Sequence, residues 1–235
     1  MAKIIPLSLC LLASILWCAA PATAAMSTTQ TATNLNASPP IVAQTPTPAT
    51  NFKLTLEDLP SGFQELPPEL TASLASQFQL FRQQFSQVNL NPDNLFAFVN
   101  PESFQVVMGF TSVLPNESDR TMFDVGLQQL QQPETQQLLV SELQQKLQGM
   151  RSLGSVKVLD YKPLPQLNNL ADTSTGFTLG IEMRRQPMRF DMATFRRNDV
   201  VAFTTVMYLD QEEPLIGVGE VARKLDNRIF KSNRE

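Results

Sequence analysis

The sequence predicts an α+β domain, an antiparallel sheet packed against several helices. Three observations carry this. Apolar residues make up 43% of the 235-residue chain, ordinary for a packed domain, and charged residues 17%, which is low. Helical periodicities in the charged region stand apart from a run of consecutive strand patterns. The leader before it is almost free of charge: Lys3 is the one charged residue in positions 1–52.

That leader divides in two. Leu7 to Ala20 is an apolar run after Lys3, and Ala22-Thr23-Ala24 supplies small residues where a signal peptidase reads. Residues 1–24 therefore read as a secretory signal. The run is bracketed by Pro6 and Pro21 and is shorter than the roughly 20 apolar residues of a membrane span. Trp17 before Cys18 disfavours a lipoprotein signal. Residues 25–51 are rich in Thr, Pro, Ala, Asn and Gln and read as a disordered linker. The α+β domain is expected over 52–235. Cleavage removes Cys10, Cys18 and Trp17, leaving a mature chain without thiol or disulfide. Export places it in the periplasm or outside the cell, or in the thylakoid lumen if the source is a phototroph.

The elements follow in order. Phe52 to Leu56 alternates and predicts a first strand, and Leu59 to Phe63 a turn. A helix is expected from Pro67-Pro68-Glu69, with Leu70, Leu74, Phe78, Phe81, Phe85 and Val88 on one face. Leu95–Val99 and Phe104–Val113 read as strands around Asn100-Pro101. Two Gln-rich helices follow, Glu117–Gln132 and Pro133–Gln148, the second with a stripe of Leu139, Leu143 and Leu147. Exposed glutamine is compatible with a helix. Val156–Tyr161, Gly176–Arg184, Met188–Arg197 and Val200–Leu209 read as strands. A last helix near Gly219 carries Val218, Val221, Ala222, Leu225 and Ile229 on its apolar face.

Two hairpins define a candidate site. A turn at Gln186-Pro187 would set Glu182 opposite Asp191, Arg184 opposite Arg189 and Met183 opposite Phe190. A second turn at Asn198-Asp199 would set Tyr208 opposite Arg189, close enough for cation–π stacking. One face then carries Ile181, Met183, Met188, Phe190 and Met192. The other carries Glu182, Arg184, Arg189, Asp191 and Tyr208 beside Val206 and Phe195. This second face is the candidate ligand- or partner-binding surface. Its alternative reading is a salt-bridged, half-covered sheet face.

Several chemistries lack their residues. The chain has no histidine and the mature part no cysteine. The usual zinc, haem and blue-copper ligand sets and Cys–His or Ser–His–Asp nucleophiles are therefore excluded, and no metal or cofactor is expected. Met183, Met188, Met192 and Met207 could be read as a Cu(I) set, but methionine is a common core filler. Glu182 and Asp191, about 5 Å apart in the expected register, have the spacing of a retaining glycosidase. The arginines beside them would keep both ionised. Gly217-Val218-Gly219-Glu220-Val221-Ala222 spells a dinucleotide loop but leaves no room for the second strand. The formal charge of -4 gives no basic signature for nucleic acid.

Leu56-Glu57-Asp58-Leu59-Pro60-Ser61-Gly62-Phe63 is similar to the start of uncharacterised exported bacterial domains. Phe195-Arg196-Arg197-Asn198-Asp199-Val200-Val201-Ala202, followed by Val221-Ala222-Arg223-Lys224-Leu225-Asp226, resembles the closing strand and helix of the same group. The ending also resembles extracytoplasmic sensor domains and the PsbP/Mog1-like α+β fold of photosystem lumenal proteins. The resemblance implies a fold and a partner in a membrane complex, and it carries no catalytic residue. The expectation is an exported non-enzymatic binding or assembly-accessory protein acting on a partner protein or membrane complex. The alternatives are an extracytoplasmic ligand sensor and a carboxylate-dependent envelope hydrolase.

Overall fold

The computed structural model describes residues 52–67, 90, 94–149 and 156–232. They form an α+β unit around one seven-stranded antiparallel sheet. The strands are β1 (Gln64–Glu65), β2 (Phe96–Asn100), β3 (Gln105–Val113), β4 (Val156–Pro163), β5 (Thr173–Met183), β6 (Gln186–Arg197) and β7 (Val200–Leu209). Their order across the sheet is β1-β2-β3-β7-β6-β5-β4. The helices are α1 (Glu117–Leu130), α2 (Pro133–Gly149) and α3 (Val218–Ser232). The expected helix from Pro67 to Val88 lies outside the described residues, except for Pro67, and so do the expected signal and linker.

Alternation along the strands builds two cores. One face carries Ala97, Val106, Met108, Phe110, Val201, Phe203 and Met207, closed by Phe123 and Leu127 of α1. Phe203 stacks on Phe110 at 4.7 Å and meets the edge of Phe123 at 6.1 Å. The opposite face carries Phe96, Phe98, Val107, Ala193, Phe195, Val200, Ala202 and Val206, closed by α3. The α3 stripe expected from the sequence is the buried one: Val218, Val221, Ala222, Leu225 and Ile229. β7 is apolar on both faces because it sits between β3 and β6 with helices above and below. Leu139 of α2 is buried, while the side chains of Leu143 and Leu147 lie outside the described set.

The expected first strand at Phe52–Leu56 does not form. Phe52 and Leu54 are buried and Lys53 is exposed, so the alternation is real, but the segment packs over the sheet. Thr111 Oγ1 donates to the Phe52 carbonyl at 3.2 Å. Asp58 then accepts from the Thr55 N–H at 2.8 Å and from its hydroxyl at 3.2 Å. This local bonding turns the chain into a 3-10 turn at Leu56–Asp58. Arg228 of α3 clamps the turn, 2.7 Å from Asp58 Oδ2. The first paired strand comes later, where Gln64 and Glu65 pair with Val99 and Phe98.

The β6–β7 hairpin turns at Asn198-Asp199, with Arg197 opposite Val200 and Arg189 opposite Tyr208, as expected. The β5–β6 hairpin differs. Its turn is Arg184-Arg185, with Met183 opposite Gln186. Both arginines have positive φ, 51° and 68°, the backbone of a type I′ turn, which Asn-Gly prefers. Each non-glycine residue there costs roughly 1–2 kcal/mol. Pro187 is tolerated in β6 because it lies opposite Glu182 at a position flanking the hydrogen-bonded Met183–Gln186 pair. Its carbonyl accepts from the Asp210 N–H at 3.2 Å. The partner of every β5 residue therefore moves by four positions from the expected register. An even shift keeps side chains on their faces, so the two faces survive and the cross-strand pairs do not.

Adjacent arginines at the far end of β6 brace both helical layers. Arg196 points to the α1 side and grips Asp124 with two bonds of 2.8 and 2.7 Å. Arg197 points to the α3 side and grips Asp226 with bonds of 2.8 and 2.7 Å. Asp172 bridges them, 3.2 Å from Arg196 and 3.3 Å from Arg197, and accepts from the Asn198 N–H at 2.7 Å. Fork-to-fork pairing fixes direction as well as charge.

Candidate functional site

The candidate residues lie at the end of the sheet away from this brace. Arg189 and Asp191 of β6, Glu182 of β5 and Tyr208 of β7 share the α3 face, as the alternation predicts. Arg184 does not join them, because it is in the turn.

Arg189 is the centre of a closed network. Its Nε donates to Asp210 at 2.6 Å and its Nη1 to Asp160 at 2.7 Å. Its side chain is 15% exposed. Burial works against its charge, but the hydrogen bonds to Asp210 and Asp160 outweigh that and raise its affinity for the proton. Burial likewise works against the Asp160 carboxylate. The hydrogen bond and charge of Arg189 outweigh it and hold the carboxyl below its usual value.

Asp160 reaches Arg189 by two local devices. A bulge between Val158 and Asp160 inserts Leu159 into β4. Strict alternation would place Asp160 on the face of Val156 and Val158. The extra residue swings it to the opposite face, opposite Gly180. Gly180 stands opposite Arg189 on its other side, so the carboxylate must cross over Gly180. A Cβ there would sit 2.9 Å from Asp160 Oδ1. Glycine leaves the space that the ion pair crosses.

Tyr208 stands opposite Arg189 but bonds elsewhere. Its hydroxyl donates to Asp191 Oδ2 at 3.0 Å. Burial raises its phenol well above the usual range, and the charge of Asp191 and this hydrogen bond add to the shift. The expected Glu182–Asp191 pair is not formed. Asp191 stands opposite Thr178, four residues from Glu182 on β5, which is roughly 13 Å along the strand. The expected Arg184–Arg189 and Met183–Phe190 pairs are likewise replaced by Gly180–Arg189 and Leu179–Phe190. The carboxylate spacing on which the hydrolase alternative rested is thus absent from this hairpin.

What remains uncommitted is the hairpin end. Among the described residues, neither Arg184, Arg185 nor Glu182 forms an ion pair. Arg184 and Arg185 are exposed, and Glu182 is half-buried. Lys157 of β4 stands opposite Glu182 and is exposed. The sequence reading missed Asp160, Asp210 and Arg185. Asp160 was hidden by the bulge, Asp210 follows the strand end, and Arg185 lay one residue outside the assumed strand. Among the described residues no group of three acidic side chains could hold a metal ion, and no helix is long and apolar enough to cross a membrane. Comparison with known protein families and with curated proteins finds no match.

Proposed function

We propose that this is an exported, non-enzymatic binding or assembly-accessory protein that engages a partner protein or membrane complex through its β5–β6 hairpin end. One observation carries the reading. The polar groups deeper in the candidate face satisfy one another: Arg189 with Asp160 and Asp210, Tyr208 with Asp191. The charged groups at the hairpin end have no such partners among the described residues. A network of satisfied ion pairs rigidifies the base on which the exposed tip stands. This arrangement favours docking over turnover, since the deeper polar groups are already held by one another.

The test is site-specific photocrosslinking in the native compartment. A crosslinking residue at exposed Gln186, beside the tip, should give discrete adducts. The same residue at exposed Gln132 should not, because the neighbouring Gln131 bonds to Ser174 at the opposite end of β5. Equal adducts from both positions, or none from Gln186, would overturn the proposal. So would steady turnover of a defined compound by the purified protein.

A further inference from the structure

We infer that the Arg184-Arg185 turn is an oxyanion-reading tip that docks onto an acidic segment of a partner protein. The inference rests on the docking role proposed above and names the chemistry of what docks. Its first support is the mismatch between residue type and backbone. Both turn residues are left-handed, at φ 51° and 68°, where Asn and Gly fit without strain. A strained position held by a rigid hairpin is a mark of function when no packing reason accounts for the residue. Here both arginines are exposed, so no packing reason does.

Charge supplies the second support. Arg189, Arg196, Arg197 and Arg228 are each tied to a carboxylate. Among the described residues Arg184 and Arg185 are not, although acids are close by. Glu182 stands at the base of the hairpin. Asp210, held against Pro187, leads into exposed Glu212 and Glu213. The tip thus presents two adjacent guanidinium forks with Lys157 beside them and acids behind them. Guanidinium forks bind carboxylates with two parallel hydrogen bonds.

The same acids select the partner. A continuous anionic surface, such as a bilayer, would meet Glu182, Glu212 and Glu213 together with the tip. Two basic residues give only a weak hold on such a surface. A short acidic segment can meet the tip alone, with basic or neutral flanks facing the glutamates.

The experiment compares the full chain with R184N/R185G, which installs the residues this turn prefers. The probes are a fluorescein-labelled Glu-Ala repeat peptide and phosphatidylcholine vesicles containing phosphatidylglycerol. The parent should bind the peptide, more weakly as salt rises. The variant should bind about tenfold more weakly or worse, while its melting temperature equals or exceeds the parent's. That opposition separates lost recognition from lost folding. Equal binding by the variant, no peptide binding by the parent, or binding to vesicles alone would each overturn the inference. If Gln186 adducts persist unchanged in R184N/R185G, hairpin docking stands and the arginine reading falls. If parent and variant both lack adducts, both readings fall.

Discussion

Asp226→Ala tests how the α3 layer is held to the sheet. Asp226 is 8% exposed and receives two bonds from Arg197, of 2.8 and 2.7 Å. The substitution leaves the guanidinium with Asp172 at 3.3 Å and the ring of Phe230 at 5.9 Å. Breaking a fully buried pair from one side costs about 3–5 kcal/mol. The Arg197 side chain is 24% exposed, so water recovers part of that, and the expected loss is about 2–3 kcal/mol. For a domain of this size the melting temperature should fall by roughly 4–12 °C. Urea unfolding followed by far-ultraviolet circular dichroism measures it. R197M should cost at least as much, because it strands the better-buried carboxylate. The double variant R197M/D226L should recover most of the loss, since apolar replacement of both partners removes the desolvation penalty as well. A D226A loss below about 0.5 kcal/mol, or a double variant as poor as the two losses added, would refute the buried-pair account.

Other perturbations follow from the same contacts. Gln105 is fully buried, donating to the Ile216 carbonyl at 2.7 Å and accepting from the Leu215 N–H at 2.8 Å. Q105M keeps the volume and strands both groups, so chemical denaturation should show a loss of about 2–4 kcal/mol. G180A should displace Asp160 from Arg189 and lower the melting temperature, and D160A in the same background should then add little. Asp58 and Asp160 have depressed carboxyl affinities. Burial alone would raise both, but the Thr55 N–H with Arg228, and Arg189, outweigh it. Their stability contribution is present above the ordinary carboxylate value of 3.8 and is lost as pH falls through the lower folded values. R189M should flatten the Asp160 share of that acid limb in unfolding curves. Both tyrosines of the chain are shifted upward, Tyr161 to about 12 by burial. Neutral phenols stabilise the fold below their unfolded value near 10 and cease to do so as pH climbs through the folded values. Absorbance titration of the folded protein should therefore show little phenolate until well above pH 10, and an ordinary tyrosine titration would contradict the burial.

Hydrophobic periodicity made the fold legible and left the pairing open. The stripe Val218, Val221, Ala222, Leu225, Ile229 and the alternation of Val201, Phe203, Thr205 and Met207 are set by 3.6- and 2-residue periods, and the structure buries them accordingly. At Phe52–Leu56 the period misled, because burying alternate residues needs only a surface beneath the chain. Strand pairing also needs backbone partners, and Thr55 with Asp58 satisfied that backbone locally. The β5–β6 turn was misplaced because its signal is conformational. Gln186-Pro187 has turn composition, whereas Arg184-Arg185 shows its left-handed backbone only in the structure. Both placements bury Ile181, so burial cannot choose between them; the turn decides.

The candidate face shows why charged patterns read differently from apolar ones. An apolar residue needs only a face, and a slip of two residues in the turn leaves it on that face. An ion pair needs a partner at one position, so the same slip dissolves it, as it dissolves Glu182–Asp191. Arg189 found Asp160 only because Leu159 bulges out of β4 and Gly180 lacks a side chain, and neither feature carries charge. Once those partners are in place, the charge that first marked Arg189 for binding is consumed at the base of the hairpin. The charge left over stands at the last residue of the predicted strand and the one after it, Arg184 and Arg185, guanidiniums that no described carboxylate holds. Recognition is then to be sought where charge is left over, and that remainder can be counted only after every pair in the sheet has been placed.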